Sequence, residues 1–140
     1  MIEYPAKIKY SKTDNCYLVE FPDLPGCVTF GDSIEEAKSM AKEALTGYLE
    51  SIDLRRLNIP GPSKKSGKDI YLIAPETKTA FAIWMKLKRI EKGLTQQKVA
   101  ELLDVSFQSY QKYENPQKAN PTLTTIQKIE RVFNEKIINI

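Results

Sequence analysis

Residues 16–52 read CYLVEFPDLPGCVTFGDSIEEAKSMAKEALTGYLESI, and the spacing of their apolar positions changes part-way along. The first portion is strand-like. CYLVEF (16–21) and CVTFG (27–31) are rich in β-branched and aromatic residues. Between them PDLPG (22–26) sets two prolines and a glycine within five positions. Proline fixes φ and has no amide donor, so a ladder must stop there. From Ser33 the period becomes helical. Ser33 and Glu36 have the spacing of a capping box, in which the serine hydroxyl bonds the amide three residues on and the glutamate reaches back. Ile34, Ala37, Met40, Ala41, Ala44, Leu45, Tyr48 and Ile52 then recur mostly at steps of three and four, which makes one apolar face of a four- to five-turn helix. Glu35 and Glu36 fall in its first turn, where the helix dipole favours negative charge.

Upstream, PAKIKY (5–10) alternates Ala6, Ile8 and Tyr10 with Lys7 and Lys9, the period of a half-buried strand. SKTDN (11–15) is a turn cluster, so this strand and the next are expected to form an antiparallel hairpin. Downstream, NIPGPSKKSGK (58–68) is a loop that leads to a fourth strand, DIYLIA (69–74). One helix on such a sheet is a two-layer β-β-β-α-β unit. Pro75 and Glu76 mark the expected boundary, with one domain over 1–75 and a second over 76–140.

The second domain reads as helices. Residues 77–92 carry Ala80, Ile83, Trp84, Leu87 and Ile90 on one side, and Gly93 stops the helix. Thr95 caps a shorter helix with Val99, Leu102 and Leu103 inward. Asp104 and Val105 make a turn, and Ser106 caps a third helix to about Glu114. Thr122 caps a fourth, with apolar positions Leu123, Ile126, Ile129, Val132 and Phe133. KIINI (136–140) alternates weakly, as a short strand or a frayed end. The expected class is α+β, with an all-α four-helix domain following the sheet.

Composition narrows the chemistry. Of 140 residues 28% are charged and 41% hydrophobic, as in an ordinary folded protein. No window of about 18 apolar residues exists to span a bilayer, and no membrane partner is expected. MIEYPAKIKY lacks the apolar core of a secretory signal, so a cytoplasmic location is expected. Cys16 and Cys27 flank the Pro-rich turn and read as free thiols of a reducing compartment. Histidine is absent, which removes His-based acid–base work, Ser-His-Asp and Cys-His triads and most zinc sites. No catalytic residue, metal site or cofactor is expected. Residues 1–75 hold 10 basic against 11 acidic side chains and residues 76–140 hold 11 against 7. A near-neutral first half joined to a basic second half suggests two jobs.

Two short helices joined by a tight turn inside a helical unit have the arrangement of a helix-turn-helix DNA reader. Residues 87–133 resemble the Xre/lambda-repressor-like helix-turn-helix family at Arg89, Gly93-Leu94-Thr95-Gln96, Ala100, Leu103, Val105-Ser106, Glu114, Pro121 and Leu123. The resemblance implies that the third helix of this half enters the major groove. Phe107, Gln108, Ser109 and Lys112 would lie outward with Gln111 beside them, and Ser106 at the cap. Glutamine can pair with adenine, lysine with guanine, and an apolar ring with a thymine methyl. Gln96 would anchor phosphate and base geometry, and Thr95 would offer a helix start to phosphate. Arg89 and Glu114 match a structural ion pair of that family. Asp104 stands where the family usually has glycine, and Pro116 stiffens a loop in which glycine is common.

The first half resembles the HicB antitoxin family. The matching residues are Tyr17-Leu18-Val19, Phe21-Pro22-Asp23-Leu24-Pro25-Gly26-Cys27, Thr29, Gly31-Asp32, Glu35-Glu36-Ala37 and Glu43-Ala44. This resemblance implies a truncated RNase H-like fold and an antitoxin of a toxin–antitoxin module. Its partner would be a small HicA-like ribonuclease that cleaves mRNA with a histidine. The antitoxin would inhibit that partner and, as a homodimer or larger homo-oligomer bound to double-stranded operator DNA, repress its own operon. A basic RNA-cleaving protein should meet an acidic face, so Glu20, Asp23, Asp32, Glu35 and Glu36, expected to cluster near the PDLPG turn, are the toxin-contact candidates. A nuclease on an RNase H-like fold needs gathered carboxylates for two metal ions; the first strand offers Lys7 and Lys9 and no acid, so no enzyme is expected. The residues also allow a stand-alone transcription regulator whose first half senses a ligand.

Overall fold

The structure is a computed structural model that describes residues 1–137. It divides into two compact units, residues 2–76 and residues 77–140 together with Met1.

In the first unit β1 (Tyr4–Ser11), β2 (Cys16–Glu20), β3 (Val28–Gly31) and β4 (Ile70–Ile73) form one sheet in the order β3-β2-β1-β4. Every neighbouring pair is antiparallel; Ile8 faces Val19, Leu18 faces Phe30 and Ala6 faces Tyr71. Alternation along β1 sends Tyr4, Ala6 and Ile8 into the core. There they join Val19 and the buried stripe Ala37, Ala41, Leu45, Leu49 and Ile52 of α1 (Ile34–Leu54). Leu49, at a four-residue step from Leu45, joins the stripe in addition to the positions expected from the period. Ala37 and Ala41 let α1 approach closely, and Gly31 completes the fit. A Cβ on Gly31 would lie 2.5 Å from the Ala37 nitrogen. Ser33 accepts from the Glu36 amide at 3.1 Å and starts the helix. The PDLPG turn is packed as well as bent. Leu24 and Cys27 donate amides to Phe21 and Leu24, each at 3.0 Å, and all three side chains are buried. Cys16 and Cys27 are buried free thiols.

The second unit holds α2 (Thr77–Glu91), α3 (Gln96–Leu103), α4 (Phe107–Tyr113) and α5 (Leu123–Phe133). The single apolar stripe expected on α2 is absent. Instead residues 79–85 are buried on every side, the short Thr79, Ala80 and Ala82 filling the arcs between Phe81, Ile83, Trp84 and Met85, while Ile90 is exposed. On α3 the inward residues are Val99, Ala100 and Leu103; Leu102 faces water, because at about 100° per residue it lies about 160° around the helix from Ala100 and about 100° from Leu103. Trp84 meets Phe133 edge-on at 6.1 Å, and Phe81 meets Tyr113 at 6.3 Å. On α5 only Ile129 and Phe133 are buried, and Leu123 is 75% exposed. The expectation for residues 136–140 falls mainly outside the described residues; Ile137 is buried, its amide donating to Glu130 Oε2 at 2.7 Å. Among the described residues no helix is long and apolar enough to cross a membrane.

Candidate functional site

The second unit is organised around one carboxylate. Glu114 caps the end of α4 and is only 5% exposed. A charge withdrawn from water needs its lone pairs satisfied. Arg89 of α2 reaches it with Nε 2.6 Å from Oε2 and Nη2 3.0 Å from Oε1. Gln96, the first residue of α3, donates Nε2 to Oε1 at 3.1 Å, and the Tyr110 hydroxyl donates to Oε2. Arg89 also donates Nη1 to the Leu94 carbonyl at 3.0 Å. One buried group therefore ties α2, the α2–α3 connection, the start of α3 and α4. Hydrogen bonding to Glu114 holds the Arg89 guanidinium above its ordinary value, so it stays charged. Burial, then the Glu114 charge, raises the Tyr110 phenol, so it stays a donor.

The network fixes which side of α4 faces water. At about 100° per residue, Gln108 and Lys112 lie on the side away from buried Tyr110, with Gln111 and Ser109 at the flanks. Gln108, Gln111 and Lys112 are exposed, and Ser109 is half-buried. Phe107 falls towards the Tyr110 side and is half-buried. Ser106 is exposed; its hydroxyl accepts the Ser109 amide at 3.1 Å and donates to Ser109 Oγ at 2.9 Å. Thr95 accepts the Lys98 amide at 3.0 Å. The α3–α4 turn is closed by Asp104 in the left-handed region, φ 56° and ψ 47°. The exposed ridge thus offers two amides and an ammonium, groups that hydrogen-bond base edges and phosphates.

In the first unit the five acidic candidates do not gather at one turn. Asp32, Glu35 and Glu36 stand exposed at the start of α1. Glu20 and Asp23 stand at the other end of β3, a strand of four residues at about 3.3 Å each. Extended backbone separates the two groups. Asp23 is half-buried and accepts the Ser63 amide at 2.8 Å. Glu20 projects from the face of the sheet opposite α1, directly across from Lys7. Among the described residues no His, Cys, Asp and Glu cluster is placed to hold a metal ion.

Two features lie outside the sequence-based expectation. Tyr110 stands four residues before Glu114, a helical spacing at which the two side chains meet. Leu18, Val28 and Phe30 form an exposed apolar patch; Leu18 beside Val19 in β2 is the signal for it, since adjacent strand positions point to opposite faces.

Comparison with known proteins gives two family matches. The family described as "HicB_like antitoxin of bacterial toxin-antitoxin system" matches residues 3–80, and the family described as "Helix-turn-helix" matches residues 85–138. The protein named Antitoxin HicB 2 from Photorhabdus laumondii subsp. laumondii is 39% identical over 64 residues, covering 46% of this chain and 45% of that protein. The chain thus matches less than half the length of that relative. Antitoxin HicB 1 of the same organism is 32% identical over 112 residues, 74% of this chain and 72% of that protein. A chain in a solved toxin–antitoxin complex from Streptococcus pneumoniae is similar at TM-score 0.45 and 23% identity, over 71% of this chain and 94% of that one. With one match running through more than half of its length and a relative alike along nearly three quarters of it, the chain belongs to the HicB-like antitoxin family and carries a helix-turn-helix domain in its C-terminal half.

Proposed function

We propose that the chain is an antitoxin that binds and inhibits a HicA-like mRNA-cleaving ribonuclease and represses its own operon by sequence-specific DNA binding. The observation that carries this reading is the joining, on one chain, of a HicB-like unit to a helix-turn-helix unit whose α4 presents an exposed polar ridge. Gln108, Gln111 and Lys112 read base edges in the major groove. Phe107, at the margin of the ridge, touches a thymine methyl. Thr95, Ser106 and Ser109 contact phosphate, and Gln96 does so from the position in which Glu114 holds it. Dimerisation supplies the second half-site roughly one helical turn away, since one short recognition helix makes too few contacts for tight specificity. The exposed Leu123 of α5 and the half-buried Ile126 support a dimer surface there.

The first unit covers the ribonuclease and does no chemistry of its own. Asp32, Glu35 and Glu36 are the principal acidic contacts for a basic partner, with Asp23 and Glu20 at the far end of β3. The β-β-β-α-β order supports a truncated RNase H-like fold used as a binding scaffold. A cytoplasmic location and freedom from cofactors belong to the same reading.

Footprinting on the DNA upstream of the chain's own gene tests it. The full chain should protect two related half-sites, and protection should weaken steeply as salt rises, because phosphate contacts release counterions. Equal binding to that DNA and to random duplex would contradict the proposal.

A further inference from the structure

The sheet of the first unit is covered by α1 on one face only. β1 sends Tyr4, Ala6 and Ile8 inward, so Lys7 and Lys9 emerge on the other face. Register sets Glu20 across from Lys7, Leu18 across from Lys9, and Phe30 of the next strand across from Leu18. Phe30 is 58% exposed and Leu18 44%. These side chains line a shallow dish of about 790 Å³. The Ile8 amide donates to the Asp69 carbonyl at 2.9 Å, which ties the lysine-rich end of the 58–68 loop to the same strand. Lys7, Lys9, Lys64, Lys65 and Lys68 are all exposed. Among the described residues none of the five is in an ion pair, Lys7 included, although Glu20 stands across from it.

The chemistry of the face selects the occupant. Lysines without carboxylate partners draw a polyanion, and each phosphate they take releases a counterion. An exposed ring offers a π face on which a base stacks. In a duplex the base faces are covered by their neighbours, so the ring can take a base only from a single strand. Neighbouring strands lie about 4.8 Å apart, so Phe30 on β3 and the lysines of β1 stand about 10 Å apart. A base laid on Phe30 therefore leaves the phosphates of its own strand within reach of ammonium groups on long, flexible side chains. The same lysines repel a basic ribonuclease.

We propose that the open face of the N-terminal sheet is a binding site for single-stranded nucleic acid. A base stacks on Phe30 beside Leu18, and Lys7 and Lys9 hold the phosphates. The lysines of the 58–68 loop extend the track. The site is separate from the duplex-reading ridge of α4 and from the acids at the start of α1, so each unit carries its own nucleic-acid contact.

Fluorescence anisotropy of the full chain with a labelled RNA of about ten nucleotides tests it. The RNA is built from A and C only, which do not pair with each other, and the same sequence in DNA forms a second arm. Phe30→Ala should weaken binding at least about fivefold, the loss of one stacked base. Lys7→Gln with Lys9→Gln should weaken it too, and should lower the slope of log affinity against log salt by about 1.4, two phosphates at about 0.7 each. Both variants should keep the melting curve of the unaltered chain and its affinity for the upstream duplex, because these side chains are exposed and outside the helix-turn-helix unit. If Phe30→Ala does not fold, the lysine pair decides alone. Binding to either strand that falls in the variants supports the proposal, and the tighter arm identifies the sugar. No binding of either strand at low salt overturns it. So does binding that the folded variants leave unchanged, and so does an acidic peptide that occupies this face while both strands stay free.

Discussion

Glu114 shows how one residue can set the geometry of a unit. Its carboxylate is buried and met by Arg89, Gln96 and Tyr110. Removing the cation leaves a buried charge uncompensated, so Arg89→Ala should cost about 3–5 kcal/mol. Tyr110→Phe removes one neutral donor among several and should cost about 1–2 kcal/mol. Urea denaturation checks the order; a tyrosine variant less stable than the arginine variant would contradict it. On the far side of α4 the expectation reverses. Gln108→Ala with Lys112→Ala changes exposed side chains, so stability should move by less than about 0.5 kcal/mol. Affinity for the upstream DNA should fall at least about thirtyfold, since each side chain that hydrogen-bonds a base edge is worth about 1–3 kcal/mol. Band-shift titration beside a melting curve separates the two effects.

At the scale of elements, two backbone positions carry the packing. Gly31→Ala would press a methyl against the Ala37 backbone at the β3–α1 contact. Its thermal midpoint should fall by several degrees, as overpacking typically costs about 1–3 kcal/mol. Asp104 holds a left-handed conformation at the α3–α4 turn. Asp104→Gly should be neutral or stabilising by up to about 1 kcal/mol, because glycine has no Cβ to clash there. The elements themselves are legible in sequence where local chemistry is strong. Ser33, Thr95, Ser106 and Thr122 each begin a helix through a side-chain bond to an amide three residues on. The alternation around Lys7 and Lys9 marks β1. Legibility fails where tertiary packing overrides the pattern. Thr79 and Ala82 are too short to announce burial on all sides of α2. Leu102, Leu123 and Ile90 keep the helical period yet face water, since period alone cannot say how many neighbours a helix has.

At the scale of the whole molecule, the absence of histidine leaves no side chain whose ordinary pKa lies between those of carboxylates and thiols, so above neutrality the thiols and phenols are the first side chains to titrate. Burial pushes the Cys27 thiol from its ordinary 9.0 up to about 11, and raises the Tyr110 and Tyr4 phenols above theirs. Each group is neutral when protonated, and the folded state holds its proton more tightly than the unfolded chain. Stability from these groups is complete below the unfolded values and drains away as pH climbs through the folded ones. Urea midpoints should therefore stay level from pH 7 to about 8.5 and fall from about 9 upward. Cys27→Ala should flatten the first part of that fall. The candidate sites are less legible than the fold for a related reason. An exposed glutamine or aspartate has the same local pattern whether or not a partner meets it. The five acids are near one another along the chain, yet the length of β3 holds them in two groups.

The proposed division of labour makes its sharpest claim when one job is removed and the other is measured. RNA cleavage by a HicA-like ribonuclease, the proposed partner, would be followed while the Gln108→Ala/Lys112→Ala variant is titrated in. Cleavage suppressed as fully as by the unaltered chain is the predicted result; cleavage that continues although the variant is folded would contradict it.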